Sequence, residues 1–254
     1  MAVAYVDYSS MEFLIAAALS DRHCGPVNTM LDMYRSGDPY LTFAKRVGAV
    51  PATATKESHE VVRDKYKVMM LATQYGMATE TLAAKLGIST LEAHEMLRQH
   101  RSIFAQYWKW SDDWVQHALQ TGIMRTAMGW TCRVGVLELN ERSIRNWPVQ
   151  TTGADILRVA CIMAARRGIK LLAPVHDAVL IEAPVARIDA DVALMQDIMR
   201  RASRIALTTG ELRTDAKIIR YPERYSDKRG KAIWDRVLEL LAEQQPQPAV
   251  AKRA

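Results

Sequence analysis

Cysteine is scarce. The three in 254 residues, Cys24, Cys132 and Cys161, are odd in number, far apart and show no C-x-x-C spacing. That usage argues against structural zinc and fits a reducing cytoplasm. No apolar run approaches the length of a membrane span. The opening "MAVAYVDYSS" has no basic leader and puts Asp7 inside what would be the apolar part of a signal peptide. Also missing are the P-loop, G-x-G-x-x-G, H-E-x-x-H and G-x-S-x-G patterns, each the mark of a particular chemistry. No internal repeat or low-complexity core appears. Only the terminal "EQQPQPAVAKRA" reads as disordered, because alternating Gln and Pro leave nothing to offset the entropy of ordering.

What is present describes an ordinary globular protein with a substantial core: 49% hydrophobic and 24% charged residues. A formal charge of +6 suits a polyanionic partner without specifying one. Along the chain, "AVAYVD" is a short β-forming run ending at Asp7, and Ser9-Ser10-Met11-Glu12 opens a helix. Helices are expected from about Ser58 to Tyr75, stopped by Gly76, and over Thr79–Leu86. A long one starts at the capping box Ser89–Glu92 and runs to Gly122. A hairpin over Met124–Val136 turns near Gly129, and Pro148 introduces a helix ending at Gly168. A second hairpin joins Leu171–Val175 to Ala178–Ile181, followed by a helix over Ile188–Leu207, a strand at Leu212–Arg220 and a helix at Ala232–Glu243. Strands at both ends and helices between them predict an α+β fold, with a sheet built from the two ends around an inserted helical subdomain.

The second hairpin turns on His176-Asp177, a poor pair for a tight turn, where Asn-Gly or Asp-Gly would be usual. Asp7 has a similar setting, as the first carboxylate after an apolar strand run. If the two strands are neighbours, these carboxylates converge and can hold divalent metal; otherwise each merely caps a helix or a turn. Arg63, Lys67, Leu71 and Tyr75 sit four apart in "RDKYKVMMLATQYG", a helical stripe with cations at one end and an aromatic at the other. Val62, Tyr66, Met69, Met70 and Thr73 form the core-like face. The stripe is either a solvated basic face or a grip on a triphosphate with a base or sugar beyond it. Glu12 completes a capping box with Ser9, or points into the same pocket as Tyr75, or both. Arg142, Arg145, Asn146 and Gln150 cluster around a helix start, either as loop polarity or within reach of phosphates and minor-groove acceptors. Tyr107, Trp110 and Trp114 follow core spacing.

Taken in order, "DYSSMEFLIAAALSDR", "RDKYKVMMLATQYGM", "RNWPVQTTGADIL" and "VHDAVLIE" resemble the active-site motifs of family A DNA polymerases, the bacterial DNA polymerase I type. Those motifs read D-Y-S-x-x-E, R-x3-K-x3-F-x3-Y-G and a segment centred on H-D. The likeness runs from Val3 to about Trp234. It implies an antiparallel palm sheet with flanking helices and an all-helical fingers insertion. Residues 1–22 and 139–230 would be palm, 23–138 fingers with a hairpin, and 231–254 a C-terminal helix and tail. It implies two Mg²⁺ ions on Asp7, Asp177 and the Tyr8 carbonyl. Arg63 and Lys67 would hold the triphosphate, Lys67 doubling as proton donor; Leu71 would contact the nucleotide with weakened sugar stacking, Tyr75 would lie beside the nascent pair, and Glu12 would exclude a 2′-hydroxyl. Arg142, Asn146 and Gln150 would track primer and template, with His176 near the primer end. The implied partners are primer–template DNA and dNTPs, in the cytoplasm of a bacterium or encoded by a phage.

Departures accompany the matches. Leu71 replaces a Phe, Ser10 a Gln, Ala178 an acidic residue and Tyr40 a phosphate-contacting His. The family's thumb and nuclease domains fall upstream of the first motif. A separate thumb or exonuclease polypeptide is therefore an expected partner, and the first palm strand is expected to lack a neighbour and to expose an edge. A catalytically inactive or partner-dependent DNA-binding remnant is the competing reading. Polymerisation of ribonucleotides is disfavoured by Glu12.

Overall fold

A computed structural model describes residues 1–24, 27–136, 140–226 and 230–243. The first strand, Ala2–Ser9 (β1), alternates perfectly: Ala2, Ala4, Val6 and Tyr8 are buried, while Val3, Tyr5, Asp7 and Ser9 take the other face. It is followed by Met11–Cys24 (α1), Thr29–Arg35 (α2), Pro39–Arg46 (α3), Glu60–Gln74 (α4), Thr79–Leu86 (α5), Thr90–Ile103 (α6) and Ala105–Thr121 (α7). A small hairpin, Ile123–Arg125 (β2) with Thr131–Arg133 (β3), leads to the long helix Glu141–Arg166 (α8). The chain then returns through Lys170–Val175 (β4), Ala178–Ala183 (β5), Ile188–Ala206 (α9), Arg213–Arg220 (β6) and Lys231–Glu243 (α10).

The main sheet has the order β4-β5-β1-β6, every pair antiparallel. So the α+β reading holds, and the sheet is built from both ends of the chain. The expected unpartnered first strand is overturned: β1 lies between β5 and β6, and the edges are β4 and β6. Helix α9 packs on β1, β5 and β6, and α8 packs on α9 and β4. The Tyr8 hydroxyl crosses that interface to donate to the Met199 carbonyl at 2.9 Å. One face of the sheet is thus sealed by helices, which leaves Asp7 on the other.

Two helical boundaries depart from expectation. The long helix predicted from Ser89 to Gly122 breaks at Phe104, where φ −112° and ψ 40° end α6 and begin α7. Phe104 is buried among Phe13, Phe43 and His100, with ring centroids 6.0, 5.5 and 4.9 Å away, so packing rather than Gly or Pro sets the kink. Pro148 does not open its helix. Asn140 caps α8 through its side chain, which accepts from Ser143 N at 2.9 Å, and Pro148 lies inside. A proline there strips the carbonyl four residues back of its donor. That carbonyl, Ile144 O, instead receives Trp114 Nε1 at 3.0 Å. Tyr107 and Trp110 are core, as their spacing predicts. The tail beyond Glu243 lies outside the described residues. Among the described residues no helix is long and apolar enough to cross a membrane.

Candidate active site

The carboxylates meet because of strand register. Asp7 pairs with Ala178 on β5 and with Asp215 on β6. The next residue, Tyr8, donates its backbone N–H to the Asp177 carbonyl at 3.2 Å, which ties the β4–β5 turn to β1. His176 occupies the left-handed region, φ 58°, so the turn takes the positive φ of a tight hairpin, uncommon for a residue other than glycine. Its Nδ1 lies 3.3 Å from Asp177 Oδ1. The Asp7 carboxyl is held above the ordinary carboxylate range by burial first, then by Asp215 and Asp177, with its own backbone N–H and Lys67 opposing. These influences place two carboxylates and one ammonium within electrostatic reach of Asp7.

Asp215 escaped the sequence reading. Alternation in "LRTDAKIIR" sets it on one face of a strand, yet nothing local says which strand lies beside it. Its Oδ2 accepts from Ser9 Oγ at 2.5 Å, so Ser9 is engaged there. Among the described residues no three His, Cys, Asp or Glu side chains are gathered as a ready-made metal centre. The donor chemistry of Asp7 and Asp177 nevertheless fits Mg²⁺, a hard cation held by carboxylate oxygens. The Tyr8 phenol is directed into the core, so only its backbone can contribute to the site.

The second half of the site comes from α4. Arg63 Nε donates to Asp38 at 2.7 Å and its NH1 to Asp64 at 2.8 Å, with the guanidinium 5.1 Å over the Tyr40 ring. Lys67 is exposed, its Nζ 6.0 Å from the same ring. Leu71 is half-buried on the same stripe. Tyr75 caps α4 at its C-terminus and is held from three directions. Its hydroxyl donates to Glu12 Oε1 at 3.2 Å and accepts from Gln150 Nε2 at 2.8 Å, and its carbonyl accepts from Asn146 Nδ2 at 3.4 Å. Burial, then the Glu12 charge, pushes the Tyr75 phenol far up, so it stays a neutral donor. Gly76, at φ 67°, lets the chain turn against Arg142, whose Cγ would lie 3.3 Å from any added Cβ.

Glu12, Gln150, His176 and Asp177 line one small cavity of about 140 Å³. Thus Asp7, Asp177, His176 and Lys67 form one group, Glu12, Tyr75, Asn146 and Gln150 another, and the cavity joins them. Arg142 is exposed behind Gly76. Arg145 is engaged elsewhere: it is buried on Ser111, Asp112 and Glu141, at 2.7, 2.7 and 2.9 Å.

Residues 1–220 match the family model described as DNA polymerase family A. The thermostable DNA polymerase I of Thermus thermophilus is 27% identical over 218 residues, which covers 81% of this chain and 25% of that protein. DNA polymerase I of Mycobacterium leprae is 28% identical over 211 residues, covering 77% and 22%. The solved POL domain of Pol1 from M. smegmatis, in complex with DNA primer-template and dNTP, superposes with a TM-score of 0.70 at 26% identity, covering 86% of this chain and 39% of that one. The chain spans about a quarter of the length of the curated relatives it matches.

Proposed function

This chain belongs to DNA polymerase family A, and from that premise we propose that it carries the nucleotidyl-transfer centre of a template-directed DNA polymerase. Residues 1–22 and 139–230 act as palm, 23–138 as fingers, and 231–254 as an appended helix and tail. The observation that carries this reading is the Tyr8 N to Asp177 O bond, which ties the turn bearing Asp177 to the strand bearing Asp7.

Asp7, Asp177 and the Tyr8 carbonyl would hold two Mg²⁺ ions. Bound there, the metal supplies activation of the primer 3′-hydroxyl and neutralisation of the leaving pyrophosphate. The protein's own residues do the rest. Lys67, close enough to influence Asp7, faces the polyphosphate and donates a proton to the departing group. Arg63 is held rigidly by Asp38 and Asp64 and orients the triphosphate. Leu71 offers an apolar wall to the nucleotide. Glu12, fixed by Tyr75, crowds the ribose 2′ position and favours dNTPs. Gln150, Asn146 and Arg142 follow primer and template, and His176 stands near the primer end. The partners in this reading are primer–template DNA and dNTPs.

Primer extension tests it. Asp7→Asn and Asp177→Asn are each expected to reduce Mg²⁺-dependent dNTP addition to background while leaving duplex binding within about twofold. Extension at the wild-type rate in either variant would remove the mechanism. A wild-type chain that shifts DNA in a gel yet adds no nucleotide would instead be a binding remnant.

A further inference from the structure

On the β6 side of Asp7, away from the Asp177 cavity, a second cleft of about 530 Å³ opens where the end of β6 meets the α2–α3 connection and α4. Lys56, Arg63, Arg200 and Arg213 line it, together with Asp38 and Asp215. Pairing sorts these charges. Arg63 is matched by Asp38 and Asp64, and Arg200 lies 3.6 Å from both Asp197 and Glu211. Lys56 and Arg213 have no carboxylate at ion-pair distance among the described residues. Arg213 is nonetheless fixed. Its guanidinium lies 4.1 Å over the Tyr34 ring and donates to the Gly37 carbonyl at 2.5 Å, while its backbone N–H donates to the Tyr34 hydroxyl at 2.8 Å. An exposed guanidinium held by neutral groups, with no carboxylate at ion-pair distance among the described residues, is pre-organised for an anion.

Register sets its distance from the carboxylates. Asp7 pairs with Asp215 and Ser9 with Arg213, so the cation stands two residues along the same face, about 7 Å from the acidic rung. Arg63 reaches the cleft from the opposite wall. Tyr40, which stands where the family pattern has a phosphate-contacting His, is 1% exposed and brings no charge of its own. The anion therefore has to draw charge from another wall.

We propose that Arg213 on the sheet, assisted by Lys56 from the segment before α4, binds the polyphosphate tail of the nucleotide in the cleft that Arg63 also lines. This deepens the polymerase reading and rests on it. Both residues lie outside the recognised motifs, and Arg213 brings to the cleft a cation from β6 in addition to those beside and on α4.

Inorganic tripolyphosphate titrated calorimetrically into the full chain is the probe. Arg213→Met is expected to weaken its binding about tenfold, and Lys56→Met about threefold, the losses typical of charge-assisted contacts of differing rigidity. Lys85→Met, which removes the same charge from the exposed face of α5, leaves affinity unchanged. Lys56 is exposed and unpaired, so its variant keeps the test open should Arg213→Met fold poorly. The proposal is overturned by wild-type affinity in both cleft variants, by an equal loss in Lys85→Met, or by no measurable binding in the wild type. The probe needs neither template nor chemistry. Discrimination among these variants in a chain that fails to extend primers would support the anion site and count against the polymerase reading alone.

Discussion

At the scale of single residues, burial decides what each polar group can do. His100 is fully buried: Trp108 Nε1 donates to its Nδ1 at 3.1 Å, and its Nε2 has no partner. Desolvation pulls its pKa from 6.5 down to about 3. The unfolded chain therefore takes up a proton below about 6.5 that the folded chain refuses. Stability is full above that pH and declines as pH falls toward about 3. Urea midpoints measured between pH 7 and 4 should trace this decline. His100→Phe, although it sacrifices the Trp108 bond and starts lower, should flatten it. The legibility of the site follows similar logic. Asp7 and Asp177 could be read because each breaks an apolar strand run, and Glu12 because its spacing from Ser9 demanded an explanation. Asp215, and the Asp38 that grips Arg63, could not: their significance lies in partners 206 and 25 residues away.

At the scale of elements, local signals located helices well and their interruptions poorly. Gly76, Gly87 and Gly122 end helices as expected, because positive φ suits glycine. Phe104 carries no such signature, since its kink comes from the aromatic cluster around it. Pro148 misled because a proline at the first turn is commoner than one whose orphaned acceptor is satisfied from another helix. The Trp114 bond makes that exception testable. Trp114→Phe leaves the buried Ile144 carbonyl without a donor and is expected to cost about 1–3 kcal/mol, visible as a Tm lower by several degrees. Adding Pro148→Ala to the same chain returns a backbone N–H to that carbonyl. Part of the loss should then be recovered, and a double-mutant cycle by thermal melting would detect the coupling.

At the scale of the whole molecule, two features matter: the charge surplus and the long-range closure of the sheet. A net +6 was readable from composition, and in the proposed reading that surplus serves to grip a polyanion. Arg142, exposed and without a carboxylate at ion-pair distance among the described residues, is the clearest candidate for a backbone contact. Arg142→Ala is expected to weaken duplex binding to a similar degree whatever the sequence, and to reduce the slope of log K against log salt by about one. Filter-binding or anisotropy titrations at several salt concentrations would measure it. The strand order was not readable, although the sheet's construction from both ends was. Periodicity tells which face a residue takes but is silent on its neighbour.

Because β1 is zipped on both sides, its alternation cannot slip on one flank and survive on the other. Gaining or losing one amino acid between positions 2 and 9 would send Asp7 down among the helices and bring Val6 or Tyr8 up in its place. The gene can therefore vary its spelling in this stretch far more freely than its length.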